Sequence, residues 1–252
     1  MSAPSFIVAA PGGRLDRIDR LRAVAMLWMT AYHLCFDLDF FGFIQADMLT
    51  DPFWTLQRTA IVSLFLFTAG VSQAIASEQG VAWPRFWRRW AQVAGAAVLV
   101  TAGSALMFPR TFIYFGVLHA MAVMLIVARL SAGWGRWLWP LGAFAIALPW
   151  LAPVAMAAWP ALEFLNQPGW NALGFISRKP ITEDYVPLLP WLGLMWWGVA
   201  SGQWLLHRRP HWLGSPGGGG ALATLGRWSL SYYLLHQPVL LGLLTAWVWL
   251  QG

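Results

Sequence analysis

The chain has 252 residues, of which 59% are hydrophobic and only 10% are charged, and its formal net charge is +6. Soluble domains usually contain about 25% charged residues, so this composition excludes an ordinary water-soluble protein and predicts an all-α, polytopic membrane helix bundle. The basic excess is typical of cytoplasmic loops of membrane proteins, and we expect no nucleic-acid partner.

Long apolar stretches, taken in chain order, predict about seven transmembrane helices. Their expected bounds are 20–41, 54–76, 86–107, 111–130, 137–158, 187–206 and 227–249. Pro140, Pro149 and Pro153 should kink or split the fifth span, because proline lacks a backbone N–H and clashes inside a helix. The whole chain, 1–252, is expected to form one transmembrane domain, with a flexible segment at 1–13, an external loop at 159–186 and a cytoplasmic loop at 207–226.

Basic residues are distributed unevenly between the predicted loops. Twelve of the 16 lie before the first span, between spans two and three, four and five, or six and seven, or within the span ends that border these segments. Because cytoplasmic loops carry the excess of Lys and Arg, the N-terminus is predicted to be cytoplasmic. The expected location is a membrane.

Three histidines lie inside predicted spans at similar depths. With a rise of about 1.5 Å per residue, His33 lies about 18 Å, His119 about 12 Å and His236 about 14 Å along their spans. A hydrocarbon core of about 30 Å places all three near its midplane. Imidazoles are costly there and commonly functional, so we expect them to converge, although a lone buried histidine is also a common structural hydrogen-bond donor.

His33 and Asp37 are four residues apart, so they share one face of the first helix. A carboxylate beside an imidazole fixes its tautomer and raises its basicity, as a general base requires. Alternatively, Asp37 is expected to lie near the outer interface and to pair with Arg58, which enters the second span from the same side. Both pairings remain open at this point.

The later spans carry further polar groups. Asp184 opens the sixth span, where a carboxylate either caps the helix or contacts substrate. In the last span, Tyr232, His236 and Gln237 precede Pro238, which leaves nearby carbonyl groups unpaired. The small residues of 198–202 suit close helix packing, either within the chain or in a homo-oligomer.

Five segments appear in a distinctive order: RIDRLRAVAMLWMTAYHLCFDLDFFG, FLFTAGVS, FIYFGVLHA, DYVPLLPWLG and LGRWSLSYYLLHQPV. Together they resemble the small bacterial membrane proteins of the heparan-alpha-glucosaminide N-acetyltransferase catalytic family, within the wider group of transmembrane acyltransferases. This resemblance implies location in a bacterial inner membrane. The resemblance covers about residues 14 to 240. It implies transfer of an acetyl group from cytoplasmic acetyl-CoA to a sugar amine or hydroxyl on the opposite side of the membrane, with surrounding lipid as a further partner.

The resemblance extends to single positions, which are Asp19, Arg22, His33, His119, Asp184, Arg227, Ser229, Tyr232, His236 and Gln237. Two departures stand out. Ala23 replaces the glycine usual after Arg22, and residues 42–53 lack the histidine that the animal enzymes use in their first lumenal loop. A histidine within a span must therefore carry the chemistry.

The resulting hypothesis assigns catalysis to His33, Asp37 and His236, with His33 as a general base or as the carrier of a transient acetyl group. Acceptor and thioester contacts are assigned to the five residues His119, Asp184, Arg58, Tyr232 and Gln237. The phosphates of CoA are assigned to Arg22, Arg88, Arg89 and Arg227, and no metal is expected. The alternative hypothesis is a transporter or flippase. A third hypothesis is a haem protein with His119 and His236 as axial ligands.

Overall fold

Helices dominate the computed structural model, which describes residues 16–209 and 220–251. No β-strand occurs in these two ranges, and one isolated parallel bridge joins Phe115 to Tyr185. The all-α prediction is therefore confirmed. The predicted flexible segment 1–13, and the middle of the predicted loop 207–226, lie outside the described residues.

The α-helices of the described residues are α1 Asp16–Phe40, α2 Pro52–Glu78, α3 Trp83–Met107, α4 Val117–Ser131, α5 Leu138–Ala147, α6 Ala152–Ala158, α7 Trp191–Arg208, α8 Ala221–Arg227 and α9 Ser229–Gln251. Short 3-10 helices occupy Ala132–Trp137, Leu148–Leu151, Pro160–Asn166 and Asn171–Leu173.

Four helical stretches in the described residues are long and apolar enough to cross a membrane. They are α2, α3, the run Val117–Ala158 that contains α4 to α6, and α9. These stretches support an integral membrane protein. Each of the seven predicted spans contains helix, while the seven-span topology and the cytoplasmic N-terminus stay predictions. α1 carries charges near both ends, including Asp19 and Asp37, which lowers its hydropathy.

Several predicted bounds were wrong. The fourth helix begins at Val117 rather than at 111, because the 182–186 segment holds the backbone of 111–116 outside the helix: the Glu183 amide donates to the Thr111 carbonyl at 2.9 Å. In the predicted loop 207–226, α7 extends to Arg208 and α8 occupies the last part. The fifth span is split, as its prolines predicted.

The described residues fall into two compact units, and the first contains 16–65 and 220–251. Here α1 packs against α8 and α9 over a core that includes Met26, Met29 and Ile61. α8 approaches α1 so closely that a Cβ added at Gly226 would lie 1.8 Å from the Asp19 carbonyl oxygen. Only glycine permits this approach.

The second unit contains 66–209. Its α7 packs on the second half of α2, where a Cβ at Gly198 would lie 2.2 Å from the Phe67 carbonyl oxygen and 3.1 Å from the Gly70 Cα. Gly202 meets Ala74 one turn further along. The small-residue face 198–202 therefore packs within the chain, which is the first of its two predicted uses.

Candidate active site

Two of the predicted catalytic histidines meet in the first unit. The imidazole rings of His33 on α1 and His236 on α9 have centroids 5.2 Å apart and are inclined by 60°. His236 is buried, whereas His33 is partly exposed. α1 and α9 run parallel here, because Thr30 faces Tyr232 and His33 faces His236.

The backbone of α9 fixes the tautomer of His236. Its Nδ1 lies 2.7 Å from the carbonyl oxygen of Tyr233, three residues earlier. A carbonyl oxygen only accepts hydrogen bonds, so Nδ1 carries the proton and Nε2 of the neutral ring presents a lone pair. Nε2 is buried and has no hydrogen-bond partner among the described residues. His236 is therefore poised to accept a proton.

The ring of Tyr232 packs beside this imidazole. Its ring is parallel to that of His236, within 4°, with centroids 6.1 Å apart. Its hydroxyl lies 2.7 Å from Oγ1 of Thr30, which donates its own hydrogen to the Met26 carbonyl at 2.9 Å. The Tyr232 hydroxyl must then donate to Thr30, so it is not free for the predicted contact with a thioester oxygen.

Asp37 has a different partner from the two predicted. The Nε2 of Gln237 on α9 donates to Oδ1 of Asp37 at 2.7 Å. In the part of the chain that the structure describes, Asp37 forms no hydrogen bond with His33 and no ion pair with Arg58. The spacing does place His33 and Asp37 on one face of α1, but the facing helix supplies the donor that the carboxylate requires. Asp37 therefore does not orient His33.

Three buried polar atoms of this cluster have no partner in the described residues: Oδ2 of Asp37, Oε1 of Gln237 and Nε2 of His236. All three are acceptors, since the amide nitrogen of Gln237 faces a carboxylate and the His236 proton is on Nδ1. Each buried acceptor left unpaired costs about 1–3 kcal/mol. A ligand that brings N–H or O–H groups would satisfy them.

The other end of α1 carries a charged cluster. Nη1 of Arg22 lies 2.7 Å from Oδ1 of Asp19. Arg227 reaches Asp16 at 3.0 Å and Asp19 at 3.8 Å. Two of the four arginines predicted to bind CoA phosphates thus form ion pairs within the first unit, and sequence reasoning missed the role of Asp16. The other two, Arg88 and Arg89, are exposed on α3.

His119 and Asp184 lie together in the second unit, where they hold the start of α4. Oδ2 of Asp184 accepts the Val117 amide at 2.8 Å. Nδ1 of His119 accepts the Gly116 amide at 3.3 Å, and its Nε2 lies 2.9 Å from Oγ1 of Thr101. The predicted cap exists, but it caps α4 rather than the sixth span.

The position of His119 corrects the depth estimated from the sequence. Because α4 begins at Val117, His119 lies in the first turn, about 3 Å along the helix rather than about 12 Å. Both ring nitrogens are engaged, so neither is free to ligate a haem iron.

Sequence reasoning missed the groups that hold this end of the second unit. They include Asn171, which is buried and whose carbonyl accepts the Tyr185 hydroxyl at 2.6 Å. Burial raises the pKa of Tyr185.

Comparison with known families decides the class of protein. The family model described as heparan-alpha-glucosaminide N-acetyltransferase, catalytic, matches residues 14–238. The chain belongs to this family. The match to the N-acetyltransferase family extends from α1 to Pro238 in α9, so it includes His33, Asp37, His236 and Gln237. No curated protein and no solved structure gives a significant match.

Membership confirms the resemblance seen in the sequence. An N-acetyltransferase family together with four long apolar helices indicates a membrane acetyltransferase. The family implies acetyl-CoA as the donor and an amino sugar as the kind of acceptor.

Proposed function

We propose that the chain transfers an acetyl group from acetyl-CoA to an amine or hydroxyl of an acceptor, with His236 as the general base. The supporting observation is the buried, unpaired Nε2 of His236 beside His33. An acceptor amine or hydroxyl is a weak nucleophile while it holds its proton, and a positioned imidazole contributes about 10²–10⁴-fold by removing it.

The transfer moves one proton and one acetyl group. Nε2 of His236 takes the acceptor proton while the acceptor nitrogen or oxygen attacks the thioester carbonyl. The new C–N or C–O bond forms, the C–S bond breaks, and the proton passes to the departing thiolate to give free CoA. Nothing is oxidised or reduced.

His33 supplies the second imidazole. Its ring lies against that of His236 and makes no hydrogen bond within the described residues, so its nitrogens remain available to contact the acceptor or the thioester while His236 returns the proton to the thiolate. A transient acetyl group on His33 is the other route. Asp37 is better placed to bind the acceptor than to orient His33, because its Oδ2 is unpaired.

The donor would approach from the charged end of α1. Arg22 and His33 are eleven residues apart on this helix, which corresponds to about 16 Å along its axis. A nucleotide held near Arg22 and Arg227 would then present its acetyl group through the extended pantetheine arm. Transfer to an acceptor on the opposite side of the membrane, and a bacterial inner membrane location, belong to the same proposal.

The experiment measures thiol release from acetyl-CoA by purified protein in the presence of glucosamine. His236→Ala and His33→Ala should each lower the rate by at least about 100-fold. His207→Ala is the matched control, because His207 lies exposed at the end of α7. A folded His236→Ala variant with the normal rate would refute the assignment of the base.

Thiol release, measured together with glucosamine movement across a vesicle membrane, separates acetyl transfer from transport. Wild-type protein that moves glucosamine across a vesicle membrane without releasing thiol would be a transporter, and the proposed function would fail.

A further inference from the structure

A cavity of about 580 Å³ lies in the second unit, and none of the residues assigned to acetyl transfer lines it. Its polar and aromatic lining includes Glu78, Arg136, Trp139, Gln203, Trp204 and His207. The volume lies within the range of about 300–1,000 Å³ that is typical of small-molecule sites.

Helix termini surround this cavity. α2 ends at Glu78, α7 ends one residue after His207, and the 3-10 helix after α4 supplies Arg136. Of these elements, α2 is long and apolar enough to span a membrane. We therefore expect its last turn, and the cavity beside it, to lie near the lipid headgroups.

The charges that line the cavity are opposite and unpaired. Glu78 and Arg136 contribute one carboxylate and one guanidinium. Neither forms an ion pair with any residue in 16–209 or 220–251, and Arg136 lies over the Trp137 ring at 5.9 Å. A ligand that carries both an anion and a cation would complement the two groups at once.

Two exposed indoles also line the cavity. Trp139 and Trp204 are 44% and 53% exposed, although they line the cavity. Tryptophan is enriched at membrane interfaces, where its apolar ring meets the acyl chains and its N–H meets the headgroups. The occupant should therefore have an acyl chain as well as a charged headgroup.

We propose that this cavity binds a zwitterionic phospholipid with a primary ammonium headgroup, such as phosphatidylethanolamine. Arg136 receives the phosphate, Glu78 accepts hydrogen bonds from the ammonium group, and the acyl chains lie along Trp139 and Trp204. A nucleotide with several phosphates would offer no cation to Glu78. An anionic glycerol headgroup would leave Glu78 without a cation.

The test measures lipid retention by native mass spectrometry. Purified protein is equilibrated with vesicles that contain equal amounts of phosphatidylethanolamine, phosphatidylglycerol and phosphatidylcholine. The wild type should retain phosphatidylethanolamine about threefold to fivefold over the other two. Glu78→Gln should abolish this preference, and Glu78→Lys should shift it to phosphatidylglycerol, because the cavity then holds only positive charge.

Two matched variants serve as controls. Arg208→Gln removes a charge at the same end of α7 without lining the cavity, and Glu163→Gln removes a carboxylate from another part of the unit. Both should retain the wild-type preference. Equal retention of the three lipids by the wild type, or an unchanged preference in Glu78→Gln, would overturn the proposal. Soluble phosphoethanolamine should also compete with the lipid, and failure to compete counts against the headgroup contact.

Discussion

Replacing Gly198 by alanine should test how the second unit is held together. The added methyl group would lie 2.2 Å from the carbonyl oxygen of Phe67 on α2. Non-bonded carbon contacts are optimal at about 3.5 Å or more, so the methyl group is about 1.3 Å too close. Its position is set by the backbone, and no side-chain rotation relieves the clash.

The energetic cost follows from this distance. α2 and α7 must separate by about 1 Å, which also weakens the close contacts at Gly70 and Gly202. Helices in a membrane gain little from the hydrophobic effect between them, so such packing contributes much of their association. We expect Gly198→Ala to lower the free energy of unfolding by about 3 kcal/mol, the upper part of the range for overpacking.

The assay is thermal unfolding of the purified protein in detergent. A loss of about 3 kcal/mol corresponds to a fall in Tm of about 6–12 °C for a chain of this size. Gly103→Ala is the matched control, because a Cβ at Gly103 on α3 meets no atom within 4 Å. This control should leave Tm unchanged or raise it, since alanine favours helix by about 1 kcal/mol over glycine. Equal Tm values for Gly198→Ala and the wild type would refute the close packing.

Three further variants test other parts of the fold. Asp184→Ala removes the acceptor of the Val117 amide and should cost about 1 kcal/mol of stability, measured by thermal unfolding. Gly226→Ala would place a methyl group against the α1 backbone and should lower Tm by several degrees, about as Gly198→Ala does. Asp47 accepts hydrogen bonds from the amide and hydroxyl of Thr50, which lower its pKa. A lowered folded-state pKa gives stability above the unfolded pKa of about 3.9, and this stability is lost as pH falls through the folded-state pKa. The protection of the Thr50 amide against hydrogen exchange, relative to its intrinsic rate at each pH, should therefore fall only in acid, and Asp47→Asn should remove this dependence.

Each of these predictions has an outcome that contradicts it. A fall in Tm for Gly242→Ala as large as that for Gly226→Ala would count against the contact, because a Cβ at Gly242 meets nothing within 4 Å. Unchanged Tm in Asp184→Ala would mean that water replaces the cap. A protection factor of the Thr50 amide that stays constant through acid pH in the wild type would show that Asp47 does not hold the turn.

The sequence predicted the helices well because their apolar stretches and prolines act locally. The fifth span splits where Pro149 and Pro153 stand, each near the start of a new helical segment. The start of the fourth helix could not be predicted in this way. Residues 111–116 are largely apolar, as a span is, but their backbone groups bond to 182–186, which lie far away in sequence.

In the candidate site, too, the sequence predicts features that depend on neighbouring residues but not contacts between distant helices. The spacing of His33 and Asp37 correctly predicts a shared helix face, yet the partner of Asp37 comes from α9, two hundred residues later. Depth within a span indicates which residues are able to meet, but not which helices are neighbours. For that reason His33 and His236 could be proposed together, whereas the place of His119 in the first turn of α4 could not.

The parallel packing of α1 and α9 explains why the candidate site lies where it does. Three polar pairs join α1 to α8 and α9, and they follow one another in the same order along the helices. The pairs are Asp19 with Arg227, Thr30 with Tyr232 and Asp37 with Gln237. Polar groups in an apolar setting are costly unless paired, so these pairs specify the register of the two helices. His33 and His236 lie between the second and third pairs, and they touch without a hydrogen bond between them in the described residues. The register therefore holds two imidazoles in contact while leaving Nε2 of His236 unpaired, which is the arrangement that a proton-accepting site requires.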